Sequence, residues 1–449
     1  MIPKIISIAR KLISDRHFSE ILTGSAWALS ARITATAMGL VSSIIIARVY
    51  GAEMMGIVAI VQSFLIIATM LTVMGTNTSL LRLIPEHLLK YSPTSAYLVY
   101  RKVLSMVIIV SLVTSMFFFA NAHSIAKLVF SKPHLSFYFS VGSIFIVFKS
   151  LAILNTQAIR GIRRIKVFAL MLVFPQTTNL LILICIGSVF PNHDLPVYAL
   201  LSGITLTGIA GLGIMFFSFK SKIGRYDTIG SVTYSKLLSV SLPMLMTSGM
   251  TFLIGQTGVI ILGIFRSELE VGYYAVAVKL ATLTTFILSA VNSMAGPKFS
   301  ELFHSNKMEE LFSVAQRSTK LIFWSTTPIL IGFIFIGNKV LDFFFGAEFS
   351  VAYPALVLLA IGQFIHSISG ATGLFMNMTG NEKRFRNIVS TAAVANIIIN
   401  LLLIPKYGLY GAATAAMLCL TGWNIATLIF MKIKYGKTTC YFPLVVHSY

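Results

Sequence analysis

Four cations lie inside long apolar stretches of this 449-residue chain, Arg32, Lys149, Lys279 and Lys339, whereas none of its 14 Asp and Glu residues lies in the middle of one. A cation at that depth costs about 2.5–3.5 kcal/mol on insertion scales, with no carboxylate at hand to neutralise it. A water-filled cavity that binds an anion would offset the cost, because ammonium and guanidinium groups give phosphate oxygens charge-assisted hydrogen bonds. Arg32 is roughly nine residues, or ~13 Å of helix, from the nearer end of its stretch. Lys149, in a stretch running the other way, reaches about the same depth, so the two form a candidate cationic pair. Lys279 lies deep enough for an anion contact or for snorkelling to the interface, and Lys339 is near enough to the surface for snorkelling to suffice.

Uncharged polar groups also punctuate the stretches: Gln62, Asn155, Gln256, Asn292 and His366 are candidates for lining a polar path. Such groups bind sugar hydroxyls, and they equally join helices to one another. His366 adds the ability to change charge near neutral pH. The missing carboxylates count against coupling to H⁺ or Na⁺. There is no zinc-protease HExxH, no phosphate-cradling glycine loop, no nucleophile elbow and no metal-ligand cluster, so neither enzyme chemistry nor a metal or other cofactor is expected. Cys185 and Cys419 stand inside apolar stretches and Cys440 near the end, which offers no disulfide framework.

The walls that hold these groups are twelve apolar segments, near residues 23–47, 57–78, 103–120, 135–157, 167–190, 196–218, 242–264, 273–296, 321–342, 353–378, 387–404 and 409–431. Each approaches the ~20 residues that a helix needs to cross a bilayer. A composition of 56% hydrophobic and 11% charged residues, with mean hydropathy +0.86, describes an integral membrane protein. Of the 35 Lys and Arg residues, 26 fall at the two ends and on the even-numbered connections, as in Arg160, Arg163, Arg164 and Lys166. The odd connections hold only Arg48, Lys127, Lys132, Arg266 and Lys406. Short loops rich in Lys and Arg stay in the cytoplasm, so both termini are expected there. The same bias, facing anionic lipid, accounts for the net charge of +21, and no nucleic-acid partner is expected. The chain then divides into an amphipathic cytoplasmic surface segment (1–22), a first lobe (23–219), a cytoplasmic linker (220–241), a second lobe (242–431) and a cytoplasmic tail (432–449).

The two lobes echo one another. Gly51–Ala59 after segment one aligns with Ser267–Ala275 after segment seven, setting Gly56 on Gly272; Pro85 aligns with Pro297, and Gly161 with Gly380. Six spans per half is even, so the repeats are parallel, related by an axis along the membrane normal. The expected fold is all-α, about twelve transmembrane helices in two six-helix lobes around a central cavity.

The runs Ala47–Gly56, Gly75–Glu86, Ile159–Gly161, Ser241–Pro243, Val271–Ala275 and Gly296–Ser300, in that order and spacing, resemble the polysaccharide flippases. These form the O-antigen repeat-unit family within the multidrug/oligosaccharidyl-lipid/polysaccharide exporter superfamily. The chain departs from the pattern at Tyr50 and Met54, and the similarity weakens after residue 300. The resemblance implies a flippase that carries an undecaprenyl-diphosphate-linked oligosaccharide from the cytoplasmic to the periplasmic leaflet of a bacterial inner membrane by alternating access, for O-antigen lipopolysaccharide or a related surface polysaccharide. It implies that Arg32 takes the role of the family's first-helix arginine, and that a lateral portal between the first and eighth helices sets Lys279 near the diphosphate route. Membrane lipids, a polysaccharide polymerase and glycosyltransferases are the implied partners. Two other readings stand beside it: a small-molecule, multidrug-type exporter of the same superfamily, and a membrane polysaccharide polymerase or ligase. The missing carboxylates weigh against the first, and the shortness of the outer loops against the second.

Overall fold

A computed structural model describes residues 16–189, 192–220, 230, 233–441 and 443. Most of the expected surface segment over 1–22, half of the linker over 220–241 and the end of the tail lie outside the described residues. The described residues form α-helices and no strand: α1 (Arg16–Ile45), α2 (Gly51–Val73), α3 (Thr76–Lys90), α4 (Pro93–Ser124), α5 (Leu135–Gly161), α6 (Ile165–Cys185), α7 (Leu195–Lys220), α8 (Tyr234–Phe265), α9 (Glu268–Ala281), α10 (Thr285–His304), α11 (Met308–Phe345), α12 (Tyr353–Ser369), α13 (Thr372–Met378) and α14 (Glu382–Tyr435).

Nine helical runs among the described residues are long and apolar enough to cross a bilayer, ten with α8, which bends by 45° near residue 247. Two of these are of double length: Ala26–Val73 has 48 residues and Glu382–Tyr435 has 54, against the ~20 that one crossing needs. Each holds a glycine in a backbone conformation that side-chain-bearing residues avoid, Gly51 at φ 79° and Gly408 at φ 55°, ψ −131°. There the chain turns back. Ten runs with two doubled give twelve spans, as the segments predict. α4 shows why the spans are apolar on their outer faces as well: Ile109, Leu112, Val113 and Met116 are all more than half exposed, where a bilayer would cover them.

In the first lobe α1 lies along α6, and α4 and α7 flank α5; in the second α8 and α12 flank α14, with α11 on α12. The lobes are joined by α2 and α9, and the joint is made of backbone. A Cβ on Gly56 would sit 1.8 Å from the carbonyl oxygen of Glu268, and a Cβ on Gly272 would sit 2.0 Å from that of Ala52. In the repeat alignment Gly56 matches Gly272 and Ala52 matches Glu268, so each glycine touches the repeat equivalent of the residue that its mate touches. Such reciprocity is what a two-fold axis produces, and it places the axis of the internal repeat between these two glycines.

The apolar core has the shape of a fork. At the end that carries Gly51 and Gly408, here the far end, one continuous core takes residues from both lobes, including Met54, Ile60, Phe139, Val271, Tyr274, Phe349 and Leu356. Toward the opposite, lysine- and arginine-rich end it splits. One branch gathers Leu80, Val103, Leu154 and Met215 of the first lobe, and the other gathers Phe299, Leu311, Phe375 and Met431 of the second. The lobes are therefore fused at the far end, and at the basic end their cores part, with only the start of α8 reaching across: Leu237 joins the first-lobe branch and Ser241 meets Ser79.

Gly272→Ala is expected to destabilise the protein by about 1–3 kcal/mol or more, because a methyl must displace backbone. Gly332→Ala, whose Cβ meets nothing within 4 Å, is expected to leave thermal unfolding almost unchanged. Equal unfolding temperatures for the two purified variants would mean that the close crossing does not hold the lobes.

Candidate functional site

Across the repeat axis lie two equivalent seams between the lobes, α2 against α8 and α9 against α1, and they are pinned by different chemistry. On the first, the Ser63 hydroxyl donates to Gln256 Oε1 at 2.8 Å. The alignment that sets Gly56 on Gly272 carries Ser63 onto Lys279, and on the second seam Lys279 Nζ donates to the Gly39 carbonyl at 2.7 Å and to the Ser43 hydroxyl. A neutral pin on one side is thus a cationic one on the other.

Arg32 belongs to the cationic seam. It lies seven residues from Gly39 and eleven from Ser43, hence within about 20° of both around a helix of 3.6 residues per turn, and roughly 10 Å further toward the basic end than Gly39. Its side chain is exposed, and among the described residues it pairs with no carboxylate. One face of α1 therefore presents an open guanidinium below a bridged ammonium. Close by, the Gln176 carboxamide of α6 lies against Gly39, where an added Cβ would meet its Oε1 at 3.2 Å.

Lys149 stands elsewhere. It borders a cavity of about 280 Å³ walled by α2, α5 and α8, together with Thr69, Met70, Asn77, Gly249 and Phe252; neither Arg32 nor Lys279 lines it. It also borders a pocket of about 200 Å³ inside the first lobe with Gln157, Pro175 and Thr207. Its level matches that of Arg32. The bond between Thr72 and Ser150, at 2.6 Å, sets Lys149 beside the last turns of α2, about as far from Gly51 as Arg32 is along α1.

The uncharged candidates divide as well. Gln62 is exposed and lies seven and eleven residues from Thr69 and Val73, on the stripe of α2 that faces the 280 Å³ cavity. Gln256 forms the neutral pin. Asn155 is fully buried and accepts from the Tyr100 hydroxyl at 2.7 Å, tying α5 to α4. His366 Nδ1 lies 3.1 Å from Asn424 Oδ1 and its ring lies against Trp423, tying α12 to α14. Neither lines either cavity. The Asn292 Oδ1 is buried with no hydrogen-bond partner among the described residues.

The far end carries an ionic clamp between the lobes. Glu268, at the start of α9, lies 3.4 Å from Lys132 and 2.8 Å from His134 Nε2, both in the connection before α5. Lys132 also donates to the Arg266 carbonyl, and Arg48 to those of Phe343 and Phe344. Burial pulls the Lys132 ammonium below the ordinary lysine range, and the Glu268 carboxylate pulls it back. The sequence pattern left this clamp unread because its members stand 134 or more positions apart.

A sequence model of a family described as "Polysaccharide biosynthesis protein" matches residues 45–354. A protein of Haloferax volcanii described as "Probable low-salt glycan biosynthesis flippase Agl15" is 28% identical over 250 residues, 54% of this chain and 51% of that one. Another from the same organism, "Probable flippase AglR", is 28% identical over 164 residues, 36% of this chain and 34% of that one. The chain thus aligns with about half the length of the first relative and a third of the second. Among solved structures, an inward-closed lipid II flippase, MurJ, superposes with TM-score 0.67 at 16% identity over 92% of this chain and 87% of that one. An inward-facing multidrug transporter of the MATE family superposes with the same TM-score at 14% identity, over 91% and 98%. At such identities the likeness concerns the fold.

Glu268→Gln removes the charge that Lys132 and His134 share, and it is expected to lengthen and broaden the distance between spin labels on the far ends of the two lobes. An unchanged distance distribution would show that the clamp holds nothing.

Proposed function

Because the chain belongs to the polysaccharide biosynthesis protein family, we propose that it is a flippase, not an enzyme, and that it carries a lipid-linked oligosaccharide across the membrane by alternating access. The observation that carries this reading is the cationic seam. Arg32 and Lys279 face one lobe boundary at two levels, with no carboxylate among the described residues to neutralise them. A diphosphate supplies that charge, and its oxygens accept from both groups. The hydrocarbon tail can stay in the bilayer while α1 and α9 part, so the cavity has only to shield the headgroup and sugars.

Orientation follows from charge. With the basic end in the cytoplasm, both termini are cytoplasmic, and the forked core fits a carrier closed toward the periplasm, its two cores parting toward the cytoplasm where the substrate is made. A potential negative inside favours outward movement of an anion by ~2.3 kcal/mol per charge per 100 mV when the whole field is crossed. The finer form of the proposal is an undecaprenyl-diphosphate-linked repeat unit, moved across a bacterial inner membrane for O-antigen or a related surface polysaccharide. Glycosyltransferases would make it and a polymerase consume it. In this form Arg32 and Lys279 hold the diphosphate, while Asn292, whose Oδ1 has no partner among the described residues, is the polar group left for the sugars.

In cells that lack the protein, the lipid-linked oligosaccharide is expected to accumulate facing the cytoplasm and to be released by the wild type. Arg32→Ala at matched membrane levels is expected to release at least tenfold less, and Arg32→Lys an intermediate amount. Normal externalisation in the absence of the protein, with no second flippase present, would overturn the oligosaccharide reading and leave a small-molecule exporter.

A further inference from the structure

The cavity on the neutral seam belongs to no step of the route just described. It lies between the pins Ser63–Gln256 and Ser79–Ser241, the latter a hydroxyl pair at 2.8 Å. Its walls run along α2 and α3 from Ile66 to Asn77, across the left-handed Met74–Gly75 break between the two helices. They are mostly apolar: Met70, Leu245 and Phe252 with a few small residues. Lys149 is the only cation among them, and no partner for its ammonium is found among the described residues. Asn77, toward the basic end, likewise makes no described hydrogen bond. Phe252 leaves 53% of its surface uncovered, so the cavity is open past this ring.

A narrow apolar chamber with one unpaired ammonium selects an occupant with one compact anionic group and a hydrocarbon body. About 280 Å³ falls just short of the ~300–1,000 Å³ of a site that encloses a small ligand, so it takes a headgroup and the start of one chain, with the rest outside. A diphosphate bearing sugars exceeds this volume and finds one cation on mostly apolar walls, and two chain starts on a glycerol need more of the volume than one does. We propose that this cavity is a second lipid site, which binds the phosphate monoester of a single-chain lipid of the polyprenyl phosphate class, with Lys149 on the phosphate.

The inference concerns binding and stands whether or not the cationic seam carries an oligosaccharide. If it does, the occupant is chemically the carrier left once the glycan and one phosphate have been removed. One protein would then hold the loaded lipid at one seam and the spent lipid at its pseudo-symmetric mate.

Purified protein in detergent can be titrated with polyprenyl monophosphate, the corresponding polyprenol and phosphatidic acid, with bound lipid counted by native mass spectrometry. Polyprenyl monophosphate is expected to bind at least tenfold more tightly than polyprenol. Lys149→Met is expected to abolish that preference and Lys149→Arg to keep it. Gly249→Leu, which fills the chamber against the flexible end of Met70, is expected to weaken binding of the phosphate at least tenfold, and this decides the matter if Lys149→Met does not fold. Three results would overturn the proposal: equal binding of polyprenol and its phosphate, an undiminished phosphate preference in Lys149→Met, or tighter binding of phosphatidic acid, which would make the occupant a bilayer phospholipid. Because no transport is measured, none of these bears on the flippase reading, which stands or falls on sidedness in cells.

Discussion

The backbone contact between α2 and α9 governs the rest of the molecule. Two helices can approach until their carbonyl groups lie where a Cβ would be only if each brings a glycine to the crossing, as Gly56 and Gly272 do. With the lobes fixed there, the far end packs as one apolar core and the basic end as two. The single crossing also creates the two seams, since α1 and α8 must flank it on opposite sides. The Lys279 and Ser63 pins lie one on each seam, and Glu268 at the far mouth where the lobes are clamped.

The internal repeat supplies symmetry, and function enters where the chain breaks it. The same position is Ser63 in one half and Lys279 in the other, and each donates across its seam to the facing helix. Both pins satisfy polar groups that would otherwise be orphaned in a dry interface. They differ in what an arriving phosphate would meet. At Ser63 it would replace one neutral hydrogen bond with another, whereas at Lys279 it would exchange a carbonyl and a hydroxyl for charge-bearing oxygens. Under the flippase reading, the charge difference between equivalent positions, more than the presence of a lysine as such, favours the α1–α9 seam for the diphosphate.

Much of this was legible in the chain. Twelve spans follow from hydropathy because the bilayer forbids unsatisfied backbone and leaves only long helices, and the pairing of Gly56 with Gly272 was visible as an echo before it was a contact. The depth shared by Arg32 and Lys149 was legible too, since depth follows from counting residues. Direction around the helix was not. Whether Asn155 faces a cavity or Tyr100, and His366 a cavity or Asn424, depends on which helix lies alongside, and polar residues that join helices have the same composition as those that bind sugars. For the same reason Arg32 and Lys149 read as a pair, although neither pocket that Lys149 borders is lined by Arg32. The clamp of Lys132, His134 and Glu268 was invisible because its members are ordinary loop charges until the fold brings them together.

The lack of carboxylates inside the spans now has a mechanical reading. Had Lys279 been paired with an aspartate on α1, the pair would have been neutral and costly to separate, since breaking a buried ion pair by removing one partner typically costs about 3–5 kcal/mol. A carbonyl and a hydroxyl satisfy the ammonium geometrically and leave its charge uncancelled, at about 1.5–3 kcal/mol for hydrogen bonds to a charged group. Under the flippase reading, that difference is what lets a diphosphate part α1 from α9. Under that reading the seam is held by hydrogen bonds to Lys279, and a ligand that brings its own negative charge exchanges with them. A neutral amphiphile offers no such exchange, and neither does a cationic drug. An energy source then has to act elsewhere in the cycle, and the far-end clamp, with the buried Glu268 carboxylate between Lys132 and His134, is the other place where the lobes are held together by charge.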